Sequence, residues 1–109
     1  MEDLEPLNKE DYNIEVDYYV RDTGGKYYYI ELTYAFTAYK DVKDVVIGSS
    51  VRDNKYYFPG ENNMASVYIV VGEKVKAGQT VMKTRTVTFA HTSDNTPEIY
   101  ITTKAHGRY

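Results

Sequence analysis

The stretch of residues 27–39 constrains the fold more than any other part of the chain, because its apolar residues recur at every second position. Its even-numbered positions are apolar or aromatic, whereas its odd-numbered positions mix tyrosine, threonine, alanine and glutamate. A period of two is typical of a β-strand with one face in a core, whereas apolar positions in an amphipathic helix recur every three to four residues. The stretch therefore predicts one long strand, with a core-facing row of Tyr28, Ile30, Leu32, Tyr34, Phe36 and Ala38.

Shorter alternating segments, separated by turn residues, occupy the rest of the chain. Residues 14–21 alternate as a first strand, and Gly24-Gly25 in the following turn supplies the positive φ that a hairpin needs. The remaining predicted strands are residues 45–51, 56–58, 65–71, 80–92 and 98–104, with turns at Asp53-Asn54-Lys55 and at 93–97 and a polar loop at 61–63. About seven strands with turn signals roughly every 8 to 12 residues predict an all-β fold, a single antiparallel β-sandwich.

The predicted domain organisation is simple. Residues 1–11 read as a flexible lead-in with a short helical turn near residues 8–11, residues 12–104 as the sandwich, and residues 105–109 as a C-terminal tail. The 109 residues suffice for one hydrophobic core. No apolar run approaches the roughly 20 residues of a membrane span, and the first three residues do not resemble a signal peptide. We therefore expect no membrane insertion of this segment, while an anchor preceding Met1 stays an open alternative.

One segment past the middle of the chain carries a family resemblance. Val75-Lys76-Ala77-Gly78-Gln79-Thr80, followed by residues 84–89, resembles the lead-in to a late strand in immunoglobulin-like and fibronectin-III-like domains of bacterial and archaeal cell-surface proteins. Residues 27–39 and the return at 41–47 look similar to the B and C strands of such domains. The resemblance implies an immunoglobulin-like sandwich at the cell surface, outside the cell or in a periplasm. It transfers no functional residue, since the chain has no cysteine or tryptophan for the Cys–Trp–Cys framework.

Catalysis and metal binding are not predicted. His91 and His106 stand outside any catalytic motif, and Gly48-Ser49-Ser50 is not the G-x-S-x-G elbow that a serine nucleophile needs. The lack of cysteine removes disulfides and thiolate zinc sites. The turns at Asp53 and Asp94 offer oxygen ligands and leave calcium open, although such residues mostly bond their own backbone. The sequence therefore predicts no enzyme activity, no cofactor and no metal.

Tyrosine is the main functional candidate, because thirteen of the 109 residues are tyrosines. Exposed tyrosine rings mark protein interfaces and stacking platforms, since the ring buries apolar area while its hydroxyl stays hydrated. The alternative is a cross-strand tyrosine ladder that only stabilises the sheet. The candidate binding residues are Tyr19, Tyr27, Tyr29 and Tyr39 on the first hairpin, with Tyr56 and Tyr57 as a second pair.

Two basic residues form the second candidate. Lys83 and Arg85 share one strand face with Val81 and Val87. Charged residues at such positions either protect an edge strand from pairing or meet an acidic partner surface. The net charge of −3 has the wrong sign for general nucleic-acid binding, so no nucleic-acid partner is expected.

Together these patterns predict a non-catalytic interaction or structural module of a cell-surface, secreted or filament-associated protein. It would bind a partner protein or a second copy of itself through its tyrosine-rich face or through an edge strand. The alternative is a carbohydrate- or small-ligand-binding accessory domain. The absence of tryptophan, the strongest stacking ring, disfavours sugar binding.

Overall fold

The computed structural model describes residues 5–22, 24–58, 61–90 and 98–109, with side chains except those of residues 54–58 and 61–63. The strands are β1 (Glu5–Pro6), β2 (Tyr12–Asp22), β3 (Tyr27–Ala38), β4 (Val42–Phe58), β5 (Glu61–Val75), β6 (Thr80–Ala90) and β7 (Ile99–Arg108). A 3-10 turn at Lys9–Asp11 joins β1 to β2, at the place where the sequence predicts a short helical turn.

The strands form two antiparallel sheets that pack face to face. One sheet has the order β1-β7-β4-β5 and the other has the order β2-β3-β6. The prediction of an all-β antiparallel sandwich is therefore confirmed. β3 is the central strand of its sheet and pairs along nearly its full length with both β2 and β6.

The core is built on the predicted inner row of β3. Every even-numbered residue of β3 is only 0–1% exposed. Two hydroxyl groups of this row bond across the core: Tyr34 Oη donates to Ser49 Oγ at 2.8 Å, and Tyr28 Oη donates to Asp53 Oδ2 at 2.6 Å. Because both acceptors belong to β4, these bonds place β3 directly over β4.

β4 runs from Val42 to Phe58 with a register shift against β5 between Arg52 and Tyr57, so the predicted turn at residues 53–55 is wrong. Asp53 lies inside β4 and is only 3% exposed. Its carboxylate accepts hydrogen bonds from the Tyr28 hydroxyl and, at 2.9 Å, from the backbone N–H of Glu98. A buried carboxylate is tolerated within a sheet when donors reach it in this way. β5 likewise includes the predicted loop at residues 61–63 and extends to Val75. The predicted turn at 93–97 lies outside the described residues.

β7 continues to Arg108, through most of the stretch predicted as a tail. Gly107 packs so closely that an added Cβ would lie 2.8 Å from the carbonyl oxygen of Lys43. Next to it, β1 pairs with His106 and Gly107, and Leu7 beside β1 is 5% exposed. The C-terminal residue is also held, because Tyr109 Oη donates to Asp11 Oδ2 at 2.6 Å. Residues at both ends of the described chain thus belong to the packed sandwich.

The two long sides of the sandwich differ. Cα atoms of β5 and β6 approach within 8 Å of each other, so these strands close one side. Since β3 lies over β4, β2 must lie on the other side and face β7 and β1. In the part of the chain that the structure describes, the outermost strand of the β1-β7-β4-β5 sheet on that second side is the two-residue β1.

Candidate functional site

The core-facing row of β2 is incompletely covered. The register with β3 places Val16 opposite Tyr34, Tyr18 opposite Leu32 and Val20 opposite Ile30. The β3 partners are buried, yet Val16 and Val20 are half-buried and Tyr18 is 49% exposed. Because these apolar side chains point toward the opposite sheet and are still partly exposed to solvent, the opposite sheet does not bury them completely.

β7, the strand that faces β2, is partly unpaired. Its residues 99–104 pair with β4 along one edge, and along the other edge they have no strand partner among the described residues. Ile99 and Ile101 are half-buried against the core, and Thr103 is exposed. We call the surface formed by these β2 and β7 residues the open side: Val16, Tyr18, Val20, Ile99, Ile101 and Thr103.

Backbone groups of alternate β7 residues point away from β4 at the open side. The N–H of Leu7 donates to the carbonyl oxygen of Ala105 at 3.0 Å, so this carbonyl faces away from β4. The register with β4 is unbroken from Ala105 to Ile99. In an antiparallel pair, alternate residues face the same edge, so Ile99, Ile101 and Thr103 present their N–H and C=O groups there. An edge of this kind is a template for another strand.

The predicted tyrosine candidates do not form one cluster. Tyr19, Tyr27 and Tyr29 lie on the outer face of the β2-β3-β6 sheet, near one end. The guanidinium carbon of Arg21 lies 4.9 Å from the ring centroid of Tyr29, which joins part of this group by a cation–π contact. Tyr39 follows the other end of β3, roughly 40 Å from Tyr27 at 3.3 Å per residue. The sheet therefore separates the candidates into two regions.

The second tyrosine pair lies at the end of β4, where Tyr57 pairs through its backbone with Asn62. The side chains of Tyr56 and Tyr57 are outside the described residues. The structure also exposes several apolar side chains that were not predicted as a site, among them Tyr68 (75% exposed) and Val70 (66% exposed) on the outer face of β5. In the sequence they alternate with Val67 and Ile69, which are buried, so the pattern predicts that Tyr68 and Val70 point outward. Exposure alone assigns them no role.

Lys83 and Arg85 lie on the core-side face of β6 together with Val81 and Val87, and the side chain of Arg85 is exposed. Lys83 lies opposite Tyr34 and Arg85 lies opposite Leu32, and both of these β3 partners belong to the core row. β6 is the outermost strand of its sheet. Inward-pointing charges on an outermost strand oppose pairing with another chain. The core-side face of β6 thus carries two basic residues, whereas Ile99, Ile101 and Thr103 on the core-side face of β7 are uncharged.

Within the described part of the chain, no three or more His, Asp or Glu side chains gather as a metal site would require. The carboxylate of Asp53 is already engaged by the Tyr28 hydroxyl and the Glu98 N–H. His91 and Asp94 lie outside the described residues. Among the residues described, no helix has the length and hydropathy needed to cross a bilayer.

Comparison with known proteins adds no relative to this picture. No family model, no curated protein and no solved structure matches the chain. The fold and the surface described above therefore define a class only: an all-β antiparallel sandwich with one closed side and one open side.

Proposed function

We propose that this protein is a non-catalytic interaction module that binds another polypeptide at its open side. The observation that carries the proposal is the coincidence of two incomplete features. The inner row of β2 is apolar but partly wet, and the facing edge of β7 has no strand partner among the described residues at 99–104. A bound polypeptide would cover the first and pair with the second.

The tyrosine-rich outer face supports an interaction less well. Tyr27 is 45% exposed and Tyr19 is 63% exposed, but a half-buried Tyr29 is engaged by Arg21 and Tyr39 is remote. The outer face has its backbone hydrogen bonds within the sheet, so only side chains are available there. The open side offers side chains and backbone groups together.

We assign the sandwich to the immunoglobulin-like or fibronectin-III-like type. β2, β3 and β6 form one sheet as strands A, B and E do, and β5, β4 and β7 form the other as C′, C and F do. Among the described residues, the position of strand G beside F is filled by the two residues of β1. The sequence resemblance to prokaryotic surface domains supports a place in a cell-surface, secreted or filament-associated protein.

Selection of random 12-residue peptides displayed on phage against the protein tests the proposed site. Adjacent tyrosines on opposite faces of β2 provide matched variants, Tyr18→Ser on the open side and Tyr19→Ser on the outer face. We expect selected peptides to alternate apolar and polar residues and to lose about tenfold in affinity on Tyr18→Ser, which corresponds to about 1.4 kcal/mol.

Tyr19→Ser should bind those peptides like the parent protein. Peptides that lose affinity on Tyr19→Ser and keep it on Tyr18→Ser would move the binding surface to the outer face. Failure to select any peptide, with the protein at a concentration where it is monomeric, would contradict the proposed function.

A further inference from the structure

We infer that the occupant of the open side is a second copy of this chain, joined by antiparallel pairing of the two β7 strands about a two-fold axis at Ile101. This inference rests on the proposed function and specifies its partner. It follows from three independent properties of residues 98–104.

The first property is the length of the free edge, by which we mean the edge of β7 that has no strand partner among the described residues. At one end, the Leu7 N–H is bonded to the Ala105 carbonyl, so pairing with another strand stops at Lys104. At the other end, β7 begins at Ile99, and the Glu98 N–H is turned toward β4 and bonded to Asp53. Two such edges that overlap fully place residue 98 of one copy opposite residue 104 of the other, which centres the pair on Ile101.

The second property is the match of backbone groups in this register. Ile101 lies opposite its own symmetry mate, and Ile99 lies opposite Thr103 of the second copy. These are the residues whose N–H and C=O groups face the free edge, so each pair exchanges both hydrogen bonds. A shift by one residue would oppose groups that point away from each other. Their side chains, on the core face, join the apolar rows of the two copies beneath the new pair.

The third property is charge. Glu98 and Lys104 are exposed and lie at even positions, on the outer face of β7. In the proposed register Glu98 of each copy lies opposite Lys104 of the other, so two unlike pairs form per dimer. Directly opposed charges of opposite sign stabilise a strand pair and like charges destabilise it. This charge complementarity at both ends of the edge follows from self-pairing, whereas a peptide of unrelated sequence would match it only by chance.

Sedimentation equilibrium over a concentration series tests the dimer and its register. Thr103→Pro removes an N–H that faces the free edge, so the fold should persist while the dimer is lost. Thr103→Ala is the matched control and should dimerise. For both variants, far- and near-ultraviolet circular dichroism would report the fold.

Charge exchange provides the second, independent arm. Lys104→Glu places two glutamates opposite each other at each end and should weaken the dimer about tenfold. Glu98→Lys in the same chain should restore the affinity, since the pair is then reversed. Restoration by the double exchange supports the register, and a double variant as weak as Lys104→Glu overturns it.

The outcomes separate this inference from the proposed function. A parent protein that stays monomeric at millimolar concentration overturns the self-pairing, whereas peptides whose affinity falls on Tyr18→Ser would still support a binding module. A dimer that Thr103→Pro leaves intact also overturns the inference, because it must then form through another surface. If Thr103→Pro does not fold, the charge exchange decides.

Discussion

At the scale of single residues, the buried hydroxyls of Tyr28 and Tyr34 connect the two sheets by hydrogen bonds. Burial of such a group also changes its pKa, as Tyr34 shows. Burial raises the pKa of the Tyr34 hydroxyl, and the hydrogen bond to Ser49 and the positive charge of Arg85 partly oppose that rise. The phenol is thus held neutral in the core, where ionisation would place an unsolvated charge.

Tyr34 is therefore expected to make stability depend on pH in the alkaline range. Its pKa is raised in the folded state, so its contribution is complete below the ordinary value of 10.0 and is lost as pH rises through the folded value. Tyr34→Phe should cost about 1 kcal/mol at neutral pH through the lost Ser49 bond and should flatten this alkaline decline. Urea unfolding of both proteins between pH 7 and about pH 11 measures the difference. Parallel declines in the two proteins would contradict it.

At the scale of elements, a strand can be predicted from the sequence when the residues that define it are close together in the chain. β3 could be predicted because every core-facing position along it is apolar or aromatic, and all of these residues are buried. The full length of β4 could not be predicted, because Asp53 is a residue type typical of turns. Its hydrogen-bond partners Tyr28 and Glu98 are 25 and 45 residues away in the sequence. The open side is hidden for the same reason: Tyr18 fits the apolar row of β2, and the sequence does not show that residues 99–104 of the facing strand β7 lack a second strand partner among the described residues.

The end of β7 shows the same limit and gives a prediction. Gly107 stands in a stretch that looks like a tail, yet an added Cβ would lie 2.8 Å from the Lys43 carbonyl oxygen, a backbone atom. Gly107→Ala should therefore destabilise the protein by about 1–3 kcal/mol, as overpacking does. Gly48→Ala is the matched control in β4, where the nearest atom is 3.9 Å from the added Cβ. Chemical denaturation of both variants checks this, and equal stabilities would show that β7 shifts to accept the methyl group.

At the scale of the whole molecule, the sandwich distributes protection against pairing unevenly. The β5–β6 side is closed and β6 carries Lys83 and Arg85 on its core-side face, whereas the β2–β7 side combines apolar rows with a β7 edge that has no strand partner among the described residues at 99–104. An unprotected edge of this kind is a template for pairing with another chain, in assembly or in aggregation. In the register proposed above, Glu98 of each copy would lie opposite Lys104 of the other, and this charge match would favour a closed pair, because a two-fold contact uses both β7 edges.

Hydrogen exchange offers a test of this closed pair that changes no residue. In the monomer, the amides of Ile99, Ile101 and Thr103 face the free edge and should exchange quickly, whereas those of Tyr100 and Thr102 are bonded to β4 and should exchange slowly. Raising the protein concentration should slow the odd-numbered amides by the factor expected from the dimer fraction and leave the even-numbered amides unchanged. Residue-resolved exchange by NMR at two concentrations measures both sets in one strand, so each even amide is the control for its neighbour. Equal slowing of odd and even amides would indicate a general stabilisation of the fold, and no slowing at a concentration where the protein is dimeric would place the contact elsewhere.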